Sequence, residues 1–314
     1  MADTLYFVIP CYKEEEVLPS TGPVFVRKLK ALINCGLANE NSRVLFVNDG
    51  SPDNTWDLIK ALHEKEPLAV GVDLARNGGE KNALLAGMFY AVQRADVVIT
   101  MDSDLQDDID ATDEMLRQYY NGHDLVLGVR SERKDDPFSE RFFSAGFYLM
   151  MKLFRTGLVS QHSNFRLMSR RAVLALKAYE HVPYFLPAVA STLPFPKTAV
   201  THARAARKAG KSHYNYKSKI RLAVDSVLVH STVLPQISLA GLILCLLAAL
   251  AGFILLIVFG VKDHIFSGWS FVLCLGGALG ALGFFVLAAW LRRIGMYRDF
   301  AERFAPPEVR EETK

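Results

Sequence analysis

Up to about residue 233 the chain alternates between short apolar runs and longer amphipathic segments, joined by turn-forming residues. The run at 5–9 (LYFVI) reads as a buried strand ended by Pro10, and 43–47, 68–74, 97–101 and 124–129 repeat the pattern. Between them come four helical segments, 24–34, 55–64, 82–93 and 113–121. Thr55 reads as the N-cap of the second, with Leu58, Ile59 and Leu62 on its inner face. Strands alternating with helices at this spacing predict right-handed β-α-β units, hence an α/β fold with a mainly parallel sheet.

Beyond Pro235 the pattern changes. Ser238 is the one clearly polar side chain in 237–261, and Ser270 the one in 269–291. Each run exceeds the roughly 20 residues that cross a hydrocarbon core, so both read as transmembrane helices, and the short connection 262–268 makes them a hairpin. Lys208, Lys211, Lys217, Lys219 and Arg221 precede the pair and Arg292, Arg293 and Arg298 follow it, whereas the connection holds Lys262 offset by Asp263. This bias puts both flanks and both termini on the cytoplasmic face of a cell (inner) membrane, in a multi-pass protein. The expected organisation is a catalytic domain over 1–215, a juxtamembrane helix at 216–233, the hairpin within 234–292 and a cytoplasmic tail at 293–314. Residues 142–154 (FFSAGFYLMMKLF) are apolar but interrupted by Lys152, and fit either a core helix or one lying on the membrane.

Composition sets limits. A formal charge of +3 over 314 residues does not argue for nucleic acid, and the hydrophobic fraction of 51% is raised by the C-terminal runs. Cys11, Cys35, Cys245 and Cys274 form no C-x-x-C pair, which argues against zinc or a disulfide framework and for a reducing compartment. Residues 5–9 are too short for a signal peptide. Gly276, Gly280 and Gly283 would let helices approach closely, as a homo-oligomer could use.

The stretch 97–107 (VVITMDSDLQD) concentrates the candidate chemistry. An apolar run ending in carboxylates is how an α/β protein sets a polar site at the C-terminal edge of its sheet. Asp102 and Asp104, with Gln106 and Asp107 close behind, suit Mg²⁺ or Mn²⁺ bound together with substrate phosphates. Polar groups also close the other strands: Glu14, Asp49, Arg76 and Asn77 can share one crevice with the Asp102–Asp104 pair. The chain has no G-x-G-x-x-G after its first strand and no G-x-x-x-x-G-K-[ST], which excludes the common dinucleotide and P-loop arrangements.

The ordered stretches VIPCYKEE (8–15), VNDGSPDNT (47–55), LARNGGEKNALLAG (74–87), MDSDLQD (101–107), GVRSER (128–133), NFRLMSR (164–170) and RKAGKSHY (207–214) resemble one family. It is the inverting family-two glycosyltransferases of the polyprenyl-phosphate type, similar to dolichyl-phosphate mannose synthases and undecaprenyl-phosphate glycosyltransferases. The resemblance implies a Rossmann-like GT-A catalytic domain followed by the two-helix hairpin. It implies transfer of a hexose from a UDP- or GDP-sugar to polyprenyl phosphate at the bilayer, for cell-envelope glycans, with a divalent metal. On matching positions, Pro10, Tyr12, Glu14 and Asp49 would contact base and ribose. Asp102, Asp104 and Gln106 would hold metal and diphosphate, and Arg130, Arg133, Arg207 and Ser212 would bind the acceptor phosphate.

The chain departs from the family's pattern at several places. Family members usually carry Asn where Lys13 stands, an aromatic at Gly78, a basic or amide residue at Glu80 followed by an acid at Lys81, and an acid at Asn164. Residues 107–110 (DDID) replace a usual D-P-P-E. Two other readings stand beside the leading one. A soluble-acceptor or polysaccharide glycosyltransferase would need a base for a hydroxyl and often a Q-x-x-R-W motif, which is absent from the sequence. A non-catalytic membrane adaptor would tolerate loss of the acidic cluster, which is intact.

Overall fold

The computed structural model describes residues 2–130, 146–147, 149–155, 162–176, 193–203 and 309–312, with isolated positions elsewhere. The chain runs β1 (Leu5–Cys11), α1 (Leu18–Asn34), β2 (Arg43–Asn48), α2 (Thr55–Lys65), β3 (Ala69–Leu74), α3 (Glu80–Ala91) and β4 (Val97–Thr100). It continues with α4 (Ala111–Tyr120), β5 (Leu125–Arg130), β6 (His162–Ser169), α5 (Arg170–Leu176), β7 (Lys197–His202) and β8 (Val309–Glu312). One sheet holds all these strands in the order β7-β5-β6-β4-β1-β2-β3-β8. β1 to β4 are mutually parallel, β7 is parallel to β5, and β6 and β8 run against their neighbours. This is the mixed, mostly parallel sheet expected of a GT-A domain.

Alternation in β1 shows how the layers form. Leu5, Phe7, Ile9 and Cys11 join the core against α1, α2 and α4, while Tyr6 and Val8 join the one against α3 and α5. α3 lies so close to the sheet that a Cβ on Gly87 would sit 2.5 Å from Val8 Cγ1 and 2.7 Å from Val47 Cγ2. That approach sets the height of the α3 N-terminus above the strand ends.

Two expectations at element ends need correction. α1 starts at Leu18 and not at 24, carrying Pro19 in its first turn and Pro23 inside. Proline is tolerated early in a helix, where its missing N–H has no intrahelical role. Burial of Leu18, Thr21, Gly22 and Phe25 then favours the extra turn. Thr55 is the first helical residue of α2 and not its cap; Asp53 Oδ1 accepts its N–H at 3.2 Å and its hydroxyl at 2.6 Å.

Among the described residues no helix is long and apolar enough to cross a membrane. The runs 237–261 and 269–291 lie outside the described residues but for single positions, as do the juxtamembrane segment, Arg133, Arg207 and Ser212. In the helical stretch at 149–153, Met151 is buried whereas Leu149 and Leu153 are 68% and 70% exposed, so apolar side chains stand on its outer face as well as its inner one.

Candidate active site

Strand direction decides what meets at the upper edge of the sheet. β1, β2, β3 and β4 end there and deliver the loops that begin at Tyr12, Asp49, Ala75 and Met101. β5 and β7 point the same way and bring Arg130 and His202, while antiparallel β6 starts here and brings Asn164.

On the β1–β2 side, Pro10 pairs with Val47 inside the sheet and Tyr12 is 36% exposed just past it. The Lys13 N–H donates to Ser51 Oγ at 3.1 Å and the Glu14 N–H to Thr55 Oγ1 at 2.9 Å, stitching the two loops together. Asp49 is buried, and its two oxygens accept the N–H groups of Gly78 and Gly79 at 2.7 and 2.8 Å. Burial pushes its carboxyl up and the two amides pull it back. Asp49 therefore anchors the 76–79 loop, on which Arg76 and Asn77 are exposed. Lys13 has φ 57°, a left-handed conformation that Asn adopts more readily than Lys. Lys13→Asn is expected to stabilise the fold by about 0.5 kcal/mol, read as a higher denaturant midpoint at unchanged slope; a lower midpoint would contradict this.

On the β4 side, Asp102, Asp104 and Gln106 are half-buried on one turn, where Asp104 Oδ1 accepts the Gln106 N–H at 3.1 Å. Leu105 between them has φ 53°, strain of the kind that gathers at functional loops. Asp107 is buried; its Oδ1 accepts Arg130 Nε at 3.2 Å and lies 3.9 Å from His202 Nε2. His202 Nδ1 is 2.9 Å from the Ala203 carbonyl, to which it donates. Asp102 is held well above the usual carboxylate range by burial first, then by the negative charges of Glu80, Asp107 and Asp104, against the pull of Arg130. These couplings tie Glu80, at the start of α3, to the acidic turn.

An ion that bridges a substrate diphosphate needs only one or two protein carboxylates, and Asp102 and Asp104 offer that donor set. Among the described residues, no three or more His, Cys, Asp or Glu side chains form an all-protein cage. The structure thus brings together Pro10, Tyr12, Glu14, Asp49, Arg76, Asn77, Asp102, Asp104, Gln106 and Arg130 at one edge. Sequence reasoning placed Asp107 in the acidic cluster without a role of its own, and left Glu80, Asn164 and His202 out of the site. Glu80 and Asn164 were visible as departures from the family pattern, but nothing in their spacing joined them.

Residues 6–176, more than half of the chain, match the family described as Glycosyl transferase family 2. An uncharacterized glycosyltransferase of Bacillus subtilis, YkoT, is 35% identical over 279 residues, covering 88% of this chain and 82% of that protein. The bactoprenol glucosyl transferase of Shigella phage SfV is 32% identical over 226 residues, covering 72% of this chain and 71% of its own. Among solved structures, the mannosyltransferase PcManGT of Pyrobaculum calidifontis, in complex with GDP-Man and Mn²⁺, aligns with a TM-score of 0.43 at 12% identity over 94% of this chain and 88% of that one.

Proposed function

We propose that this chain, which belongs to glycosyl transferase family 2, moves a hexose from a nucleotide-diphosphate sugar to polyprenyl phosphate at the cytoplasmic face of a membrane. The observation that carries this reading is the meeting of Asp49's loop, the Asp102–Asp104 turn and Arg130 on one sheet edge. The relatives named bactoprenol glucosyl transferase support the lipid acceptor.

The base and ribose would lie by Tyr12 and the 76–79 loop, and the diphosphate by Asp102, Asp104 and Gln106. A bound divalent ion would neutralise charge on the leaving diphosphate. A lipid phosphate is already anionic near neutral pH, so the protein need not supply a strong base. Arg130, aimed by Asp107, would orient that phosphate for attack on the anomeric carbon. The new bond forms from the phosphate oxygen as the bond to the diphosphate breaks, which inverts the configuration.

The pairing of β8 with β3 supports an anchor of two crossings. The chain leaves the sheet after β7 and rejoins it at β8, so any bilayer between them is crossed an even number of times. The exposed Leu149 and Leu153 support a face resting on lipid. Purified full-length protein with Mn²⁺, undecaprenyl phosphate and radiolabelled UDP-glucose or GDP-mannose is expected to yield a label extractable into organic solvent. No such product from a broad set of donors would overturn the reading.

A further inference from the structure

Glu80 opens α3 and reaches across the site mouth to β6, where its carboxylate accepts Asn164 Nδ2, a partner 84 residues away. Asn164 Oδ1 in turn accepts Arg166 Nη2 at 2.9 Å. Arg166 is fully buried, and the backbone carbonyl of Asn164 also accepts the Thr100 hydroxyl. A buried guanidinium thus fixes an amide, and the amide fixes an exposed carboxylate at the rim.

The position of that carboxylate selects its role. Along the sheet, the β2 and β1 loops carry the proposed base and ribose contacts and β4 the diphosphate contacts. Glu80 itself follows the Asp49-anchored loop at the start of α3, above β1 and β2. Its bond to Asn164 carries the carboxylate to β6, beside β4, where the sugar would follow the diphosphate. A carboxylate next to Asp102 and Asp104 repels phosphate and accepts hydrogen bonds from neutral hydroxyls.

Resting on the transferase reading above, we propose that Glu80, held by Asn164 and Arg166, is a specificity-determining residue that accepts hydroxyl hydrogen bonds from the donor's sugar ring. It selects a neutral hexose over an acidic sugar.

The test is calorimetry on the full-length chain with Mn²⁺, using UDP, UDP-glucose and UDP-glucuronate, with GDP and GDP-mannose in parallel. Wild type is expected to bind the neutral nucleotide sugar more tightly than the bare nucleotide. Glu80→Gln should leave bare-nucleotide affinity within about twofold, weaken the neutral donor about tenfold, a loss of the size expected for one hydrogen bond to a charged group, and narrow its preference over UDP-glucuronate. In Glu80→Gln/Asn164→Asp the hydrogen bond persists with the charge moved inward, and the neutral-donor affinity should stay low. Equal weakening of all ligands together with a lower melting temperature would reveal a structural role and overturn the proposal. So would a wild type that binds sugar donors no better than bare nucleotides. Absence of lipid-linked product alone would overturn the acceptor reading and leave this binding comparison decisive for Glu80.

Discussion

Asp104→Ala is expected to lose transfer by about a hundredfold to a thousandfold while keeping its fold. On the proposed reading Asp104 would supply an oxygen where the leaving diphosphate gathers charge, and the hydrogen bond it accepts from the Gln106 N–H lies within the turn. The acidic turn is also a place where function opposes stability. Asp102 shares its surroundings with Glu80, Asp107 and Asp104, and burial adds to their repulsion in raising its carboxyl. A carboxyl whose folded pKa lies above its unfolded value destabilises the fold only when ionised. The penalty is absent below the unfolded value, grows as pH rises toward the folded value, and is complete above it. Metal-free Asp102→Asn is therefore expected to melt above wild type near neutral pH, with the gap closing toward about pH 4. Thermal melts in chelator across that range check the sign, and a variant that melts lower at pH 7 would refute it. For Asp104→Ala, retained turnover in the lipid-product assay would remove the assignment of this carboxylate.

Gly50→Ala should have the largest structural effect at the site. Gly50 has φ +61°, and an added Cβ would lie 2.7 Å from both Arg76 C and Asn77 N. Both are backbone atoms, so no side-chain rotation relieves the clash and the 76–79 loop must move. That movement pulls Gly78 and Gly79 away from Asp49, leaving a buried carboxylate short of its donors. Left-handed backbone costs about 1–2 kcal/mol for a non-glycine residue, and the lost bonds to a charged group add about 1.5–3 kcal/mol. The expected result is a melting temperature lower by roughly 5–15 °C and nucleotide affinity reduced with it. Wild-type melting and affinity together would show that the loop yields freely.

The order of β1 to β5 and their helices was legible because each strand is a short apolar run closed by turn residues. The D-x-D turn was legible for the same reason: its chemistry lies within a few neighbouring positions. The start of α1 was not: the local pattern places it at 24, and burial of Leu18, Thr21 and Gly22, the last packed close to Leu62 of α2, extends the helix before it. β6, β7 and β8 carry weaker local patterns and take their places through partners distant in sequence.

By itself, the sequence determined the alternating fold, the acidic turn at the end of β4 and the family, because period and local spacing encode all of these. Only the tertiary structure decided that Asp49 anchors a loop, that Asp107 aims Arg130, and that Glu80 faces Asn164. Those pairings join residues on separate strands and helices. Their contacts depend on strand direction and on the height at which α3 rests over the sheet, and neither is written in any single stretch of the chain.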